Sequence, residues 1–255
     1  MLNSTNMRGA ALMTGSMAAF TVNDTFVKLL GESLPFFQFL VLRSVGAAVL
    51  MLLLAWKAGV LRLPPSPRDR RLMLYRSLAE MAAAYFFLTA LIHMPLANVT
   101  AILQALPLTV ALAAAFFLKE EVGWKRFVAI GIGFVGVYLI VRPGGDDFTI
   151  YSVYALLAVV SVTIRDLMAR QLSPDVPSLT VAFYGVLVIL AFACIGAGFG
   201  PEWQPLSGVD WLWLSGSIAT IMIAYHLSVS AMRVGEIGFV SPFRYTSLVV
   251  ALVLG

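Results

Sequence analysis

Apolar residues fill this chain in long stretches, and the polar residues that fall inside them come one or two at a time. A hydrocarbon core of about 30 Å takes roughly 20 helical residues to cross. Stretches suited to that task lie at about 10–31, 35–56, 72–93, 96–118, 126–142, 150–171, 178–199 and 211–232, the fifth being short. A further one opens near 238 and is still running at Gly255. The alternation of a membrane barrel is missing, so helices are what satisfies the backbone in lipid. The first stretch is too long, and at Asn23, Asp24 and Lys28 too polar, for a cleaved leader, and no small-residue cleavage site precedes the second. It is expected to stay as a span. Linkers are short, and the most polar, "KAGVLRLPPSPRDRR" (57–71), carries prolines that end one helix before the next begins.

Composition agrees. The 255 residues are 60% hydrophobic and 12% charged, against about one quarter charged in soluble domains. The pattern is that of one polytopic membrane domain with no soluble one. Lys and Arg in short loops stay on the cytoplasmic side. Arg8, the group from Lys57 to Arg71, and Lys119, Lys125 and Arg126 share one side if the N-terminus is cytoplasmic. The opposite loop "GFGPEWQPLSGVD" (198–210) has neither residue type, and Arg142 is the main exception. The net charge of +4 thus reflects topology and gives no indication of a nucleic-acid partner. Cys194, alone inside an apolar span, permits no intrachain disulfide and is expected to be buried packing.

Internal repetition organises the rest. "TVNDTFVKLLGESLP" (21–35) aligns without gaps on "TIRDLMARQLSPDVP" (163–177), so that Asp24 meets Asp166 and Lys28 meets Arg170. "YFFLTALIHMPLANVTAILQALPLTVAL" (85–112) aligns on "YHLSVSAMRVGEIGFVSPFRYTSLVVAL" (225–252), matching Tyr85 to Tyr225 and Gln104 to Arg244. Five spans in the first unit, an odd number, mean that the second enters the membrane from the other side. That is the inverted repeat of many secondary transporters, whose substrate site lies between the units near the midplane.

The run "MPLANVTAILQALPLTVALAAAFFLKEEVGWKRFVAIGIGFVGVYLIVRPGG" (94–145) resembles the end of the first EamA repeat of the drug/metabolite transporter superfamily, and "SPFRYTSLVVALVLG" (241–255) resembles the matching piece of the second. "DTFVKLL", Arg43 and "YRSLAE" are similar to branches that include S-adenosylmethionine-type carriers. The resemblance implies an all-α fold of two inverted five-helix repeats, 1–145 and 146–255, around a central cavity. It implies a secondary transporter of small polar metabolites, amino-acid-like, nucleotide-related or drug-like, in a bacterial inner membrane, coupled to protons or a counter-substrate. A homodimer is an open possibility. Relative to that family the chain lacks the end of the ninth helix and the tenth.

Depth selects the site residues. At 1.5 Å per residue, Asp24 lies roughly 20 Å from a cytoplasmic start and Arg43 roughly 12 Å from the outer face, at similar heights. A charge near the bilayer centre costs at least about 2.5–3.5 kcal/mol on insertion scales, so each should face the interior and find a partner. An Asp24 to Arg43 contact is the simplest pairing. Lys28 is four residues from Asp24 and is read equally as a structural partner or as part of substrate or proton coupling. Glu80 is expected inside the bundle beside "MAAAYFF", read equally as a carboxylate that couples transport to protons or as a neutral or Arg76-paired group that holds helices together, with Arg76 itself expected to snorkel to the headgroups. Gln104 and Arg244, at matching repeat positions, are candidates for the binding site, the first as donor and acceptor and the second as a site cation or the partner of Asp166; His226 is a further candidate, expected to hydrogen-bond inside the bundle, with proton shuttling as the lesser option; and Tyr85 and Tyr245 are candidates for the cavity wall or for packing. Pro107 and Pro242 should free backbone carbonyls in spans four and nine, which a cavity tolerates. Gly131, Gly133 and Gly136 suit close helix contact.

No phosphate loop, H-E-x-x-H or G-x-S-x-G motif occurs, and no His/Cys/acid group has metal spacing. Neither an enzyme, nor a cofactor, nor a metal is expected. The rival to a carrier is a non-transporting membrane subunit or an inactive truncated carrier, because the second repeat lacks counterparts of "KEEVGWKRFVAIGIGFVGVYLIVRPGG" (119–145).

Overall fold

The computed structural model describes residues 4–31, 33–59, 66–94, 96–120, 123–142, 144–145, 148–247 and 249–250. In these the long elements are helices: α1 (Ser4–Gly31), α2 (Phe36–Lys57), α3 (Pro67–His93), α4 (Leu96–Leu103), α5 (Leu106–Leu118), α6 (Trp124–Val141), α7 (Ile150–Gln171), α8 (Ser178–Ala197) and α9 (Gly208–Arg233). A short α10 (Ile237–Val240) runs into a 3-10 turn, Ser241–Tyr245. Among the described residues five segments are long and apolar enough to cross a membrane: α2, Ala101–Leu118, α7, α8 and α9. α1 and α3 have the length, but α1 carries Arg8, Asp24 and Lys28 and α3 carries six charged residues between Arg68 and Glu80.

Two boundaries lie outside the expected limits for local reasons. α1 starts earlier because its first turn has a partner: the Asn6 side-chain oxygen accepts the Glu236 N–H at 3.0 Å. Close approach there needs Gly9, where a Cβ would come 2.7 Å from the Val234 carbonyl oxygen. α3 starts at Pro67, whose fixed φ suits the first helical position. α2 is closed by Gly59 at φ 65°, a left-handed position that glycine adopts without strain. The prolines at 64 and 65, and the chain's last residues 251–255, lie outside the described residues.

The helices pack in a pattern that survives exchange of the two halves. α1 lies along α9 and α3 along α7; α2 lies on α8; α3 also touches α8, and α2 touches α9. Replacing α1, α2 and α3 by α7, α8 and α9 turns each pairing into another of the same set. Even the polar caps repeat. Asp210 at the start of α9 accepts from Ser33 Oγ in the α1–α2 turn at 2.7 Å, and Asp69 at the start of α3 accepts the Ser173 N–H in the α7–α8 turn at 3.1 Å.

These bonds define two ends. One gathers Asn6 with Glu236, Asp69 with Ser173, and Glu120 with Arg170 at 3.4 Å. The other gathers Ser33, Asp210 and the reciprocal pair Gln38–Gln204, at 2.6 and 2.8 Å. Arg8, Arg68, Arg70, Arg71 and Lys119 fall at or near the first end in sequence. Between the ends, Leu30, Leu40, Met51, Val181 and Ile189 fill the largest core. Leu52 to Leu54, Phe116, Phe117, Ile132 and Leu139 point outward, as a hydrocarbon surround requires.

Two packing expectations are corrected. Of the α6 glycines, Gly133 packs closely, its Cβ position lying 2.5 Å from a Leu108 methyl, while Gly131 and Gly136 face nothing within 4 Å. α6 therefore touches its neighbours along one narrow line. Cys194 is exposed on α8, since its side of that helix has no described neighbour to cover it.

Candidate functional site

The expected fourth span does not run straight. It breaks at Gln104–Ala105 between α4 and α5, where tighter bonds take over: Gln104 N–H to Ala101 O at 3.2 Å and Ala105 N–H to Ile102 O at 3.0 Å. Pro107 has no N–H to give, so the helical ladder cannot close across the break. The matching stretch of the second half, Ser241–Tyr245, is the 3-10 turn. The two irregular segments are stitched together. Ser241 Oγ donates to the Pro107 carbonyl at 3.0 Å, and Tyr245 Oη donates to the Gln104 carbonyl at 3.3 Å. Broken helices of this kind, at matching places in two halves, mark the midplane sites of carriers.

Against these breaks lies a cavity of about 450 Å³, within the range of small-molecule sites. α1 lines it with Asp24 and Lys28, α2 with Arg43, α3 with Glu80, the first break with Gln104, α7 with Arg165, α9 with Tyr225, and the 3-10 turn with Arg244. Apolar wall comes from Phe20, Phe87, Leu88, Leu91 and Ile221.

Toward the first end the cavity is floored by a continuous ion network. Arg76 Nη2 meets Glu80 Oε2 at 3.0 Å; Arg165 Nη1 meets Glu80 Oε1 at 2.9 Å, and its Nε meets Asp166 Oδ1 at 2.9 Å; Arg244 meets the other oxygen of Asp166. All five side chains are buried. Each carboxylate thus binds two guanidinium groups, and the chain of charges ties α3, α7 and the 3-10 turn into one unit. Losing one partner of such a group strands a buried charge at a cost of about 3–5 kcal/mol. Gly185 on α8 leaves the room: a Cβ there would lie 2.7 Å from Arg76 Nη1.

Arg43 stands apart from this network. It is 5% exposed, yet among the described residues it makes no ion pair and no hydrogen bond; its guanidinium sits over the Phe39 ring at 5.1 Å. Asp24 shares the cavity with it but lies beyond ion-pair reach, held by a long 3.4 Å hydrogen bond from Asn23 Nδ2. Asn23 is itself anchored, accepting from Ser217 Oγ at 2.9 Å.

The expected residues therefore separate. Asp24, Lys28, Arg43, Glu80, Gln104 and Arg244 line the cavity together. The direct Asp24–Arg43 pair is not formed, and Lys28 makes no ion pair with Asp24, because cavity space separates the first two and Lys28 is exposed at the rim. Arg76 does not snorkel: at 2% exposure it is buried on Glu80. Asp166 pairs with Arg244, while Arg170 lies outside the cavity on Glu120. His226 is exposed, one position round α9 from Tyr225, with no hydrogen bond into the bundle. Tyr85 belongs to an aromatic cluster with Phe86, Tyr154 and Phe192, and Tyr245 joins the breaks rather than lining the wall. Among the described residues no His/Cys/acid group is placed to hold a metal. Arg165 is the main omission from the expected set; an Arg-Asp pair well inside a span was the signal for it.

Comparison with known proteins places this geometry. The S-adenosylmethionine uptake transporter of Rickettsia felis is 23% identical over 251 residues, 98% of this chain and 83% of that protein. The riboflavin transporter of Vibrio cholerae is 32% identical over 157 residues, covering 61% of this chain and 52% of its own. The pseudopaline exporter CntI of Pseudomonas aeruginosa is 25% identical over 236 residues, 89% of this chain and 81% of that one. A solved crystal structure shares the fold with a TM-score of 0.76 over 96% of this chain and 86% of its own, at 17% identity. The EamA-like transporter family matches residues 7–142, more than half of the sequence. An all-helical bundle with membrane-length apolar helices and a cavity that sets charged side chains in an apolar wall against two broken helices, carrying that match, belongs to the EamA-like transporter family.

Proposed function

We propose that this protein carries small polar metabolites across a bacterial inner membrane by alternating access, with the cavity as its substrate site. The observation that carries the reading is the placement of buried charges around one cavity, at helix breaks contributed by both halves. A charge at bilayer depth is tolerated where it has a use or a partner. We take 1–145 and 146–255 as inverted repeats; the exchange symmetry of the helix contacts and the mirrored Asp69 and Asp210 caps support this.

The basic end is assigned to the cytoplasm, which makes the N-terminus cytoplasmic. The ion network then closes the cytoplasmic side of the cavity, and Lys28 and Leu91 lie toward the outer side. Transport requires the network to open and re-form as the halves rock, so Glu80 and Asp166 exchange partners during the cycle. Coupling to protons or to a counter-substrate acts through these carboxylates and Asp24. Uptake of S-adenosylmethionine, transport of riboflavin and export of pseudopaline by relatives span compounds of a size suited to a cavity of about 450 Å³.

Flux tests this directly. Reconstituted in proteoliposomes, the chain is expected to accumulate or exchange labelled S-adenosylmethionine or riboflavin above empty vesicles, and Arg43→Ala and Glu80→Gln are each expected to lower that flux at least tenfold. Unchanged flux in both variants would sink the charge-based site.

A further inference from the structure

Among the described residues three charges lining the cavity make no ion pair: Lys28, exposed at the rim, and, further in and of opposite sign, Arg43 and Asp24. The lining holds four cationic side chains, Lys28, Arg43, Arg165 and Arg244, against two acidic ones, Asp24 and Glu80, so the cavity is positive by two charges. The network does not relieve Arg43. Both oxygens of Glu80 are taken by Arg76 and Arg165, and both of Asp166 by Arg165 and Arg244. Phe39 stabilises the guanidinium through its ring face but neutralises nothing. A buried, unpaired guanidinium facing open volume is a receptor for a planar anion, since its fork matches a carboxylate in two-point contact.

Across the same space Asp24 has one weak hydrogen bond, from Asn23, and no cation within ion-pair distance among the described residues. Counted along their helices, Asp24 is seven residues before the end of α1 and Arg43 seven after the start of α2, and each is therefore about 10 Å from the shared α1–α2 turn. A carboxylate and a guanidinium at one height, separated by cavity, match a ligand that carries its own two charges in the opposite order.

We infer that Arg43 and Asp24 are the specificity-determining residues of the site and read a zwitterionic head group, Arg43 binding its carboxylate and Asp24 its ammonium or other cationic centre. The apolar wall of Phe20, Phe87, Leu91 and Ile221 receives the remainder of the molecule. This inference rests on the transport reading above. It accounts for the failure of Asp24 and Arg43 to meet: the ligand completes the pair that the protein leaves open.

Ligands with one charge masked test it on the unaltered protein. Thermal unfolding of the purified full chain is followed with L-phenylalanine, L-methionine or S-adenosylmethionine, and with the methyl esters and N-acetyl forms of the two amino acids. At least one amino-acid zwitterion should raise Tm, and masking its carboxylate or its amine should weaken apparent affinity about 10- to 100-fold, the range of one charge-assisted hydrogen-bonded contact. In R43Q the acid and its ester should bind alike; in D24N the amine and its acetylated form should. Equal binding of parent and masked forms to the unaltered chain overturns the inference, and so does the absence of any shift with either amino acid. Riboflavin flux through the same protein in proteoliposomes separates the two failures. Flux without charge discrimination leaves transport standing and removes the role of Arg43 and Asp24; discrimination without flux of any probe leaves the receptor standing and removes transport.

Discussion

Asp24 and Asp166 occupy matching places in the two aligned segments, and the bundle treats them differently. Asp166 is buried and clasped by two arginines; Asp24 is half-buried and held by one amide at 3.4 Å. Gln104 and Arg244 diverge in the same way, the first neutral beside the cavity and the second bound into the network. The scaffold is close to symmetric while its charges are not. An exchange of halves that preserves helix contacts but not ion pairs lets one end of the cavity be locked while the other is left with charge to offer.

The largest effects should come from breaking the contrast itself. Asp166→Asn strands Arg244 and leaves Arg165 with Glu80 alone, and is expected to lower unfolding free energy by about 3–5 kcal/mol, whereas Asp24→Asn, which loses one weak bond, should change it by about 1 kcal/mol or less while reducing flux sharply. Chemical denaturation followed by circular dichroism reads both, and equal losses would end the comparison. Gly185→Ala presses a methyl on the pinned Arg76 guanidinium, and we expect a loss of about 1–3 kcal/mol. Because only the locked end is touched, ligand affinity measured by the same Tm titration should hold.

Smaller effects follow at the seams. Ser241→Ala removes the bond to the Pro107 carbonyl and should cost about 1 kcal/mol, with faster amide exchange around Gln104 as its signature. Ser207 caps α9, accepting the Asp210 N–H at 3.2 Å, and Ser207→Ala should also cost about 1 kcal/mol. His226→Ala lies on an exposed face and should stay within about 0.5 kcal/mol with flux intact; a large loss of flux would return His226 to the site.

Span positions were legible because membrane-length apolar runs leave few alternatives, and the break in the fourth span was foreshadowed by Pro107. Of the charged residues lining the cavity, all but Arg165 were legible from depth alone. What they touch was not. Depth follows from counting along one helix, whereas facing depends on how helices rotate against one another, and one residue turns a side chain by about 100°. This is why His226 was expected inwards while Tyr225 beside it holds that place. Arg76 was expected at the headgroups because the space for it is made by Gly185, which is 109 positions away in the sequence and carries no charge to announce it.

The crossed caps also bear on how the chain is made. The α1–α2 turn is tied down by Ser33 Oγ donating to Asp210, which lies 177 residues later. At ribosomal speeds of about 5–20 residues per second, roughly 9–35 s pass between synthesis of the turn and arrival of its cap. Through that interval the first helical hairpin must wait in the bilayer with its connecting turn unsealed. A nascent chain arrested before α9 should accordingly show that turn open to water-borne labels and closing only once Asp210 has emerged.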